Sequence, residues 1–286
     1  MILHTVPHAV PAMTIQRYIL RAWPMLPGYA VRRLFADRDV KLNGRRAAAD
    51  DIVRGGDRLQ LYLPDKYLPA PAALVFDDGR LVAAVKPQGL PVDVDQDHIG
   101  ADTLLTRIRS LYPAARLCHR LDAATGGLVL SALDPETEAQ ALEAFRTHGI
   151  RKRYLARTKG GFPRQEGVLR DWLIKDARQA TVRIVNREQP GAKPVETHYR
   201  VLNEQDGIAR VWLEPVTGRT HQLRVHMAHI GHPILGDDKY GDRRLNSGEG
   251  RLNLWCASLE ITPDSPLTAY RSRTFTAPEP DWWTRP

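Results

Sequence analysis

Only two of the 286 residues are cysteine, Cys118 and Cys256. Two thiols are too few for a disulfide framework and have no metal-ligand spacing, so they fit a reducing compartment. No run of about 18 apolar residues occurs, which excludes a membrane-crossing helix. Met1 to Pro11 lacks a basic segment followed by an apolar one. No secretion signal is therefore expected, and the cytoplasm is the expected location. Internal repeats and low-complexity tracts are missing too.

Hydrophobic residues make up 43% of the chain and charged residues 26%, the balance of a globular protein with a substantial core. The length suits one large domain or two unequal ones. The 41 Lys and Arg against 33 Asp and Glu leave a net charge of +8. Arginine, whose planar fork matches phosphate, supplies most of the positive charge. Charge of this size leaves nucleic-acid binding an open question by itself.

Residues 1–64 read as one small unit. Ile15, Tyr18, Ile19 and Ala22 recur at helical spacing behind a Thr14 cap, and Pro24, Pro27 and Gly28 end that helix. A second helix fits Tyr29 to Ala36, with Ala30, Leu34 and Phe35 inward. Val40-Lys41-Leu42 leads into the tight-turn pair Asn43-Gly44. After Gly56-Asp57, Leu59 to Leu63 reads as a strand. From Met13 to Leu63, ten basic residues face five aspartates. Several of these are expected to be plain solvated surface. Residues 65–73, with Pro69 and Pro71, look like a semi-rigid linker.

Residues 74–286 read as a larger α+β domain. Leu74 to Phe76 and Leu81 to Val85 form strands around Asp77-Asp78-Gly79. Asp102 is expected to cap a helix over Thr103 to Tyr112. Leu128 to Leu133 is strand-like, and Asp134-Pro135 opens a helix ending near Gly149. Strands follow around Tyr154, Val182, Tyr199 and Val211. Short polar turns such as Asn203 to Gly207 favour antiparallel pairing.

The sharpest chemical signal is His119-Arg120-Leu121-Asp122-Ala123-Ala124-Thr125-Gly126-Gly127-Leu128. It places a carboxylate after two basic residues and before glycines that allow close approach of a ligand. In isolation such an aspartate is a turn residue. Three further blocks accompany it: Lys86-Pro87-Gln88-Gly89, Lys152-Arg153-Tyr154-Leu155-Ala156, and Thr217 through Gly241 with its Gly218-Arg219-Thr220-His221-Gln222-Leu223-Arg224-Val225-His226 core. In this order the four blocks resemble those of the RluA-type pseudouridine synthases, over roughly Leu74 to Phe275. Gly126 departs from the family's usual Ser, and Ala123 and Ala124 replace residues that are commonly charged. The first unit resembles the S-four-like RNA-binding domain, on its two short helices, its Val40 to Gly44 hairpin and its Gly56-Asp57 turn.

The resemblance implies a pseudouridine synthase catalytic domain, with a mainly antiparallel mixed sheet flanked by helices and a central RNA-binding cleft. It implies Asp122 at the ribose, Tyr154 stacked on the uracil and assisting proton removal, and Arg224 as a cation that keeps Asp122 ionised. Arg224 is expected on a helix starting near Thr220, with Leu223, Met227 and Ile230 buried. Arg120 is a candidate to fill the gap left by a flipped nucleotide. His119, Arg219 and Lys86 are candidates for contacts to RNA or for shaping the cleft. Arg32, Arg33 and Lys41 are candidates for phosphate contacts. The isomerisation moves no electrons and consumes no second substrate, so no cofactor or metal is expected. The implied partner is RNA, ribosomal first and transfer RNA second, with no membrane partner, and the expected state is a monomer. Two rival readings are a metal-dependent hydrolase built on His221, His226, His229 and His232 with Asp237 and Asp238, and an assembly factor that binds RNA without catalysis.

Overall fold

A computed structural model of the chain describes residues 1–23, 26–64, 70–94, 102–176, 181–185 and 188–284. The expected linker falls largely on residues 65–69, outside the described residues. The chain divides into two compact units, Met1–Pro71 with Asp93–Leu111, and Ala72–Val92 with Tyr112–Pro286.

The first unit holds strands β1 (Ile2–Thr5), β2 (Met13–Thr14), β3 (Val40–Leu42), β4 (Arg45–Arg46), β5 (Ile52–Val53) and β6 (Arg58–Leu61). Its helices are α1 (Ile15–Ala22), α2 (Gly28–Ala36) and α3 (Leu104–Arg109). The strands form an antiparallel sheet in the order β1-β6-β3-β4, and β2 pairs with β5. Thr14 caps α1 by accepting a hydrogen bond from Arg17 N. The helix then buries Ile15, Tyr18, Ile19 and Ala22 in a core with Val31, Leu34, Val40, Leu59 and Leu61. Gly28 opens α2 instead of ending α1, because Pro27 takes the cap position. Val31 is buried on α2, whereas Phe35 only packs against the core's edge. Asn43 and Gly44 both adopt positive φ, as a tight hairpin turn requires. Asn43 Nδ2 donates to Asp57 Oδ1 (2.9 Å), and Arg58 N donates to Asn43 Oδ1 (2.9 Å), which joins the two turns.

Helix α3 is shorter than the expected span and starts differently. Thr103, not Asp102, is its cap, in a reciprocal box with Thr106. Asp102 makes a two-point ion pair with Arg107, 2.7 Å at each contact.

The second unit is built on one large sheet. Its strands are β7 (Ala73–Asp77), β8 (Leu81–Lys86), β9 (Arg116–Leu117), β10 (Gly126–Ala132), β11 (Ile150–Lys159), β12 (Glu166–Asp176), β13 (Thr181–Val185), β14 (Lys193–Gln205), β15 (Ile208–Pro215), β16 (Leu254–Ile261) and β17 (Thr274–Thr276). The order is β13-β12-β14-β15-β11-β16-β10-β8-β7, with β17 on β16 and β9 on β10. Neighbours run antiparallel except β10 and β16, which are parallel. Helix α4 (Pro135–Arg146) is capped by Asp134, with proline at its first turn, as the sequence suggests. Helix α5 spans Gln222–His229. Strand β10 is buried along its whole length, so its side chains show no alternation. Together these elements make an α+β fold with a mainly antiparallel mixed sheet.

Candidate active site

Three adjacent central strands set the site. Gly127 of β10 pairs with Cys256 of β16, and Cys256 pairs with Tyr154 of β11. A register shift between Arg153 and Tyr154 re-aims that tyrosine, the usual effect of a bulge. Gly127 has φ 107°, and a Cβ there would collide with the Cys256 backbone, so only glycine permits this approach. Asp122 lies four residues before β10, in the turn that the glycines feed. Its side chain is 30% exposed.

That turn is clamped from behind. Lys86 is fully buried, and its Nζ donates to the carbonyls of Pro87 (3.0 Å), Leu90 (2.6 Å) and Ala123 (2.9 Å). Burial pulls its pKa down to about 8, against the opposing pull of the Asp122 charge. Gly89 N donates to Ala123 O (2.8 Å), and Gln88 Nε2 donates to Ala124 O (3.2 Å). Gln88 Oε1 accepts from the buried Trp282 indole (3.0 Å). Lys86 therefore fixes the backbone beside Asp122 and does not reach outward as a contact for RNA.

Tyr154 is 8% exposed. Burial raises its phenol well above the usual tyrosine range, and the neighbouring Cys256 and Asp122 add to this. It is a neutral phenol at neutral pH. That suits a stacking face.

Helix α5 begins at Gln222 and buries every residue from Gln222 to Met227, so no narrow apolar stripe exists. Ile230 lies beyond its end and is only half-buried. Arg224 is not on the surface. It is 3% exposed and donates to Asp237 (2.8 and 2.7 Å) and to Asp238 (3.0 Å). Asp122 contributes to its electrostatic surroundings, but Asp237 is its hydrogen-bond partner. The side chain nearest Asp122 among the described ion pairs is His221, with Nε2 3.9 Å from Oδ2. His221 Nδ1 lies 2.9 Å from Tyr240 Oη. His221 stands in the family-like block, but the sequence suggested a role for it only in the rival metal cluster. Tyr240 and Cys256 carried no assigned role; the place of Tyr240-Gly241 at the end of the final block was the one visible signal.

The remaining candidates separate. Arg120 and Arg219 are exposed. His119 packs at a tilt against Phe145 (4.5 Å between centroids), and its Nε2 accepts from Leu130 N (3.1 Å). Burial, with Lys152 adding, pushes its pKa down to about 3. A neutral, engaged imidazole supports the fold, the second of its two expected roles, and offers no charge to phosphate. In the first unit Arg32 is exposed, Arg33 pairs with Asp37 (3.1 Å), and Lys41 lies over the Tyr62 ring.

The histidines of the hydrolase reading do not converge. His226 Nδ1 meets Thr197 Oγ1 (2.8 Å), while His232 stacks on Phe162 (3.7 Å) with Nδ1 near Lys159 O (3.1 Å). Among the described residues, no three or more His, Cys, Asp or Glu side chains are grouped to hold a metal ion, and no helix is long and apolar enough to cross a membrane.

Comparison with known proteins gives this geometry a context. Residues 80–229 match the family model described as RNA pseudouridylate synthase. The dual-specificity RNA pseudouridine synthase RluA of Escherichia coli strain K12 is 38% identical over 207 residues, covering 72% of this chain and 92% of the relative. The ribosomal large subunit pseudouridine synthase C of Vibrio cholerae is 30% identical over 272 residues, covering 86% and 84%. The solved human RNA pseudouridylate synthase domain containing 4 is 27% identical with a TM-score of 0.61, covering 74% of this chain and 90% of that one. The chain belongs to the RNA pseudouridylate synthase family, as an RluA-type enzyme that isomerises uridine to pseudouridine in RNA.

Proposed function

We propose that the enzyme modifies uridine in structured large-subunit ribosomal RNA, with Asp122 as the carboxylate acting at the ribose. The chemistry needs a base or nucleophile at the sugar, stabilisation of the departing uracil, and a pocket that retains the detached base. The observation that carries this reading is the part-exposed Asp122 carboxylate, on a turn whose backbone Lys86 clamps and close enough to the buried Tyr154 for its charge to act on that phenol. Tyr154 would stack on the uracil. Arg120, two residues from Asp122 and exposed, would occupy the stack vacated by the flipped nucleotide. Arg219 lies exposed just ahead of α5 and would contact phosphate.

Support for the ribosomal target comes from the Vibrio cholerae relative. An alignment covering 86% of the chain has to reach into Met1–Pro71, the unit that we read as an S-four-like RNA-binding domain. Arg32 and Lys41 would bind phosphate there. The dual-specificity relative favours transfer RNA as a second target. The enzyme is taken to act as a cytoplasmic monomer, in keeping with its two buried free thiols.

The test is pseudouridine mapping across ribosomal and transfer RNA from cells with and without the protein. It is repeated on both RNAs in vitro with purified enzyme. Sites in large-subunit RNA that vanish without the protein and return with it are expected. Sites confined to transfer RNA would overturn the ribosomal assignment.

A further inference from the structure

His221 has an unusual backbone and a directed side chain. It stands immediately before α5 with φ 54°, ψ 15°, in the left-handed region that a residue with a Cβ rarely enters. This conformation turns the ring between two polar groups. Nδ1 meets Tyr240 Oη at 2.9 Å, and Nε2 faces Asp122 Oδ2 at 3.9 Å.

The hydrogen bonding around Tyr240 favours one tautomer of the ring. Tyr240 Oη already accepts from the backbone N–H of Val182, at 2.9 Å. Its own hydroxyl proton is then left to donate, and His221 Nδ1 is the acceptor at hand. A neutral imidazole has one donor and one acceptor nitrogen. With Nδ1 accepting, the proton sits on Nε2, on the side of Asp122. Strand β13 thus biases the ring toward this tautomer through the tyrosine hydroxyl.

We propose that His221 is a positioning residue for Asp122, directing an Nε2–H at the carboxylate through a relay that runs Val182 N–H, Tyr240 Oη, His221, Asp122. This rests on the reading of Asp122 as the reacting carboxylate. The 3.9 Å separation exceeds a hydrogen bond, and such contacts at reacting groups often tighten only once substrate fills the site. One N–H on Oδ2 would leave Oδ1 to face the ribose, so the carboxylate is aimed as well as charged. Arg224 packs over the Tyr240 ring, 5.4 Å from its centroid, while bound to Asp237. It therefore supports the relay from the side.

The charged groups around His221 are Asp122 from the turn before β10, Arg224 from α5, and Asp237 and Lys239 from the segment after it. Burial lowers the imidazole pKa; Asp122 and Asp237 oppose that, and Arg224 and Lys239 add to it. The ring is neutral at neutral pH, as the relay requires.

The test combines a spectroscopic and a kinetic readout on the full chain. Nitrogen-15 spectra of histidine-labelled protein, with His221 assigned by its loss in His221→Gln, should show the proton on Nε2. Tyr240→Phe should redistribute the proton between the two nitrogens. Asp122→Asn should move the His221 titration to lower pH, because an attracting carboxylate has gone. In single turnover on a verified RNA, His221→Leu should slow pseudouridine formation by about 10- to 100-fold, with RNA affinity kept. His221→Gln, which still presents an N–H, should recover part of that rate. A proton on Nδ1, a titration indifferent to Asp122→Asn, or a wild-type rate in His221→Leu would each overturn the proposal. If wild-type protein forms no pseudouridine, the functional reading fails, and the spectra still decide whether His221 and Asp122 are coupled.

Discussion

Arg224 and Asp237 are joined by two hydrogen bonds, 2.8 and 2.7 Å, with side chains only 3% and 1% exposed. Burial acts against both charges, but each partner's hydrogen bonds and charge outweigh it. The guanidinium is held above its ordinary range, and the carboxyl below the usual aspartate range. Removing one member strands the other. Arg224→Ala is therefore expected to cost about 3–5 kcal/mol, read by denaturant unfolding. Asp237 adds a pH signature. Because its folded value is depressed, its contribution is complete above the unfolded value of about 3.9 and is lost as pH falls through and below it. That acid loss should vanish in Arg224→Met with Asp237→Leu. A stable, fully folded Arg224→Ala would show that the pair is dispensable.

Periodicity and caps made much of this legible. Thr14, Asp134 and Asn43-Gly44 each act locally, and each stands where local chemistry puts it. The blocks that carry Asp122 and Tyr154 also fall on neighbouring parts of the sheet, because Gly127 and Tyr154 both pair with Cys256. Partner choice was not legible. Nothing in the spacing of Arg224 distinguishes Asp237 from Asp122, and a helix buried on every side gives no amphipathic pattern to read. Asp102 failed as a cap for a similar reason: Arg107 competes for its carboxylate, and Thr103 can cap instead. The role of His221 depends on a left-handed backbone and on Val182, 39 positions earlier in the chain.

Gly126 occupies the position where the family usually has serine, and its packing explains the exchange. A Cβ there would enter the Trp255 ring and lie 2.8 Å from Gln88 Cγ. Gly126→Ser is expected to destabilise the fold by about 1–3 kcal/mol through overpacking. Adding Trp255→Leu should relieve most of the steric part. Thermal unfolding of the single and double variants measures this, and strictly additive losses would sink the idea.

His119 and His226 predict a histidine-driven acid instability. Burial, first in both cases, lowers them from 6.5 to about 3 and about 4. The unfolded chain takes up these protons first, so stability should fall as pH drops from about 6.5 toward 3, by up to ~1.4 kcal/mol per pH unit for each group. His119→Gln retains an acceptor for Leu130 N–H and should flatten the slope. An unchanged slope by urea titration across this range would mean that the folded imidazole accepts its proton normally.

The basic surface of the first unit makes a graded prediction about salt. Arg32 is exposed, whereas Arg33 is already matched by Asp37. Arg32→Ala should reduce the dependence of log affinity on log salt by close to one phosphate contact, roughly 0.7–0.9 in slope. Arg33→Ala should change it less. Equal slopes for wild type and Arg32→Ala would place this arginine away from the phosphates.

Asp122 itself gives the decisive case. Each route through the isomerisation needs an ionised carboxylate at the sugar, whether it attacks the anomeric carbon or removes a ribose proton. Asn has nearly the same shape but is a poor nucleophile and a poor base. The backbone of the turn is held by Lys86, Gln88 and Gly89 through the carbonyls of Ala123 and Ala124, and by Thr125 N donating to Asp122 O (3.0 Å). None of these bonds uses the Asp122 side chain. Asp122→Asn should therefore fold with near-wild-type stability and keep its RNA affinity, yet form no pseudouridine in single turnover. Binding and turnover are measured on the same RNA, beside a thermal melt. Substantial product from this variant would overturn the carboxylate mechanism. A large loss of stability would instead assign Asp122 to the architecture of the turn.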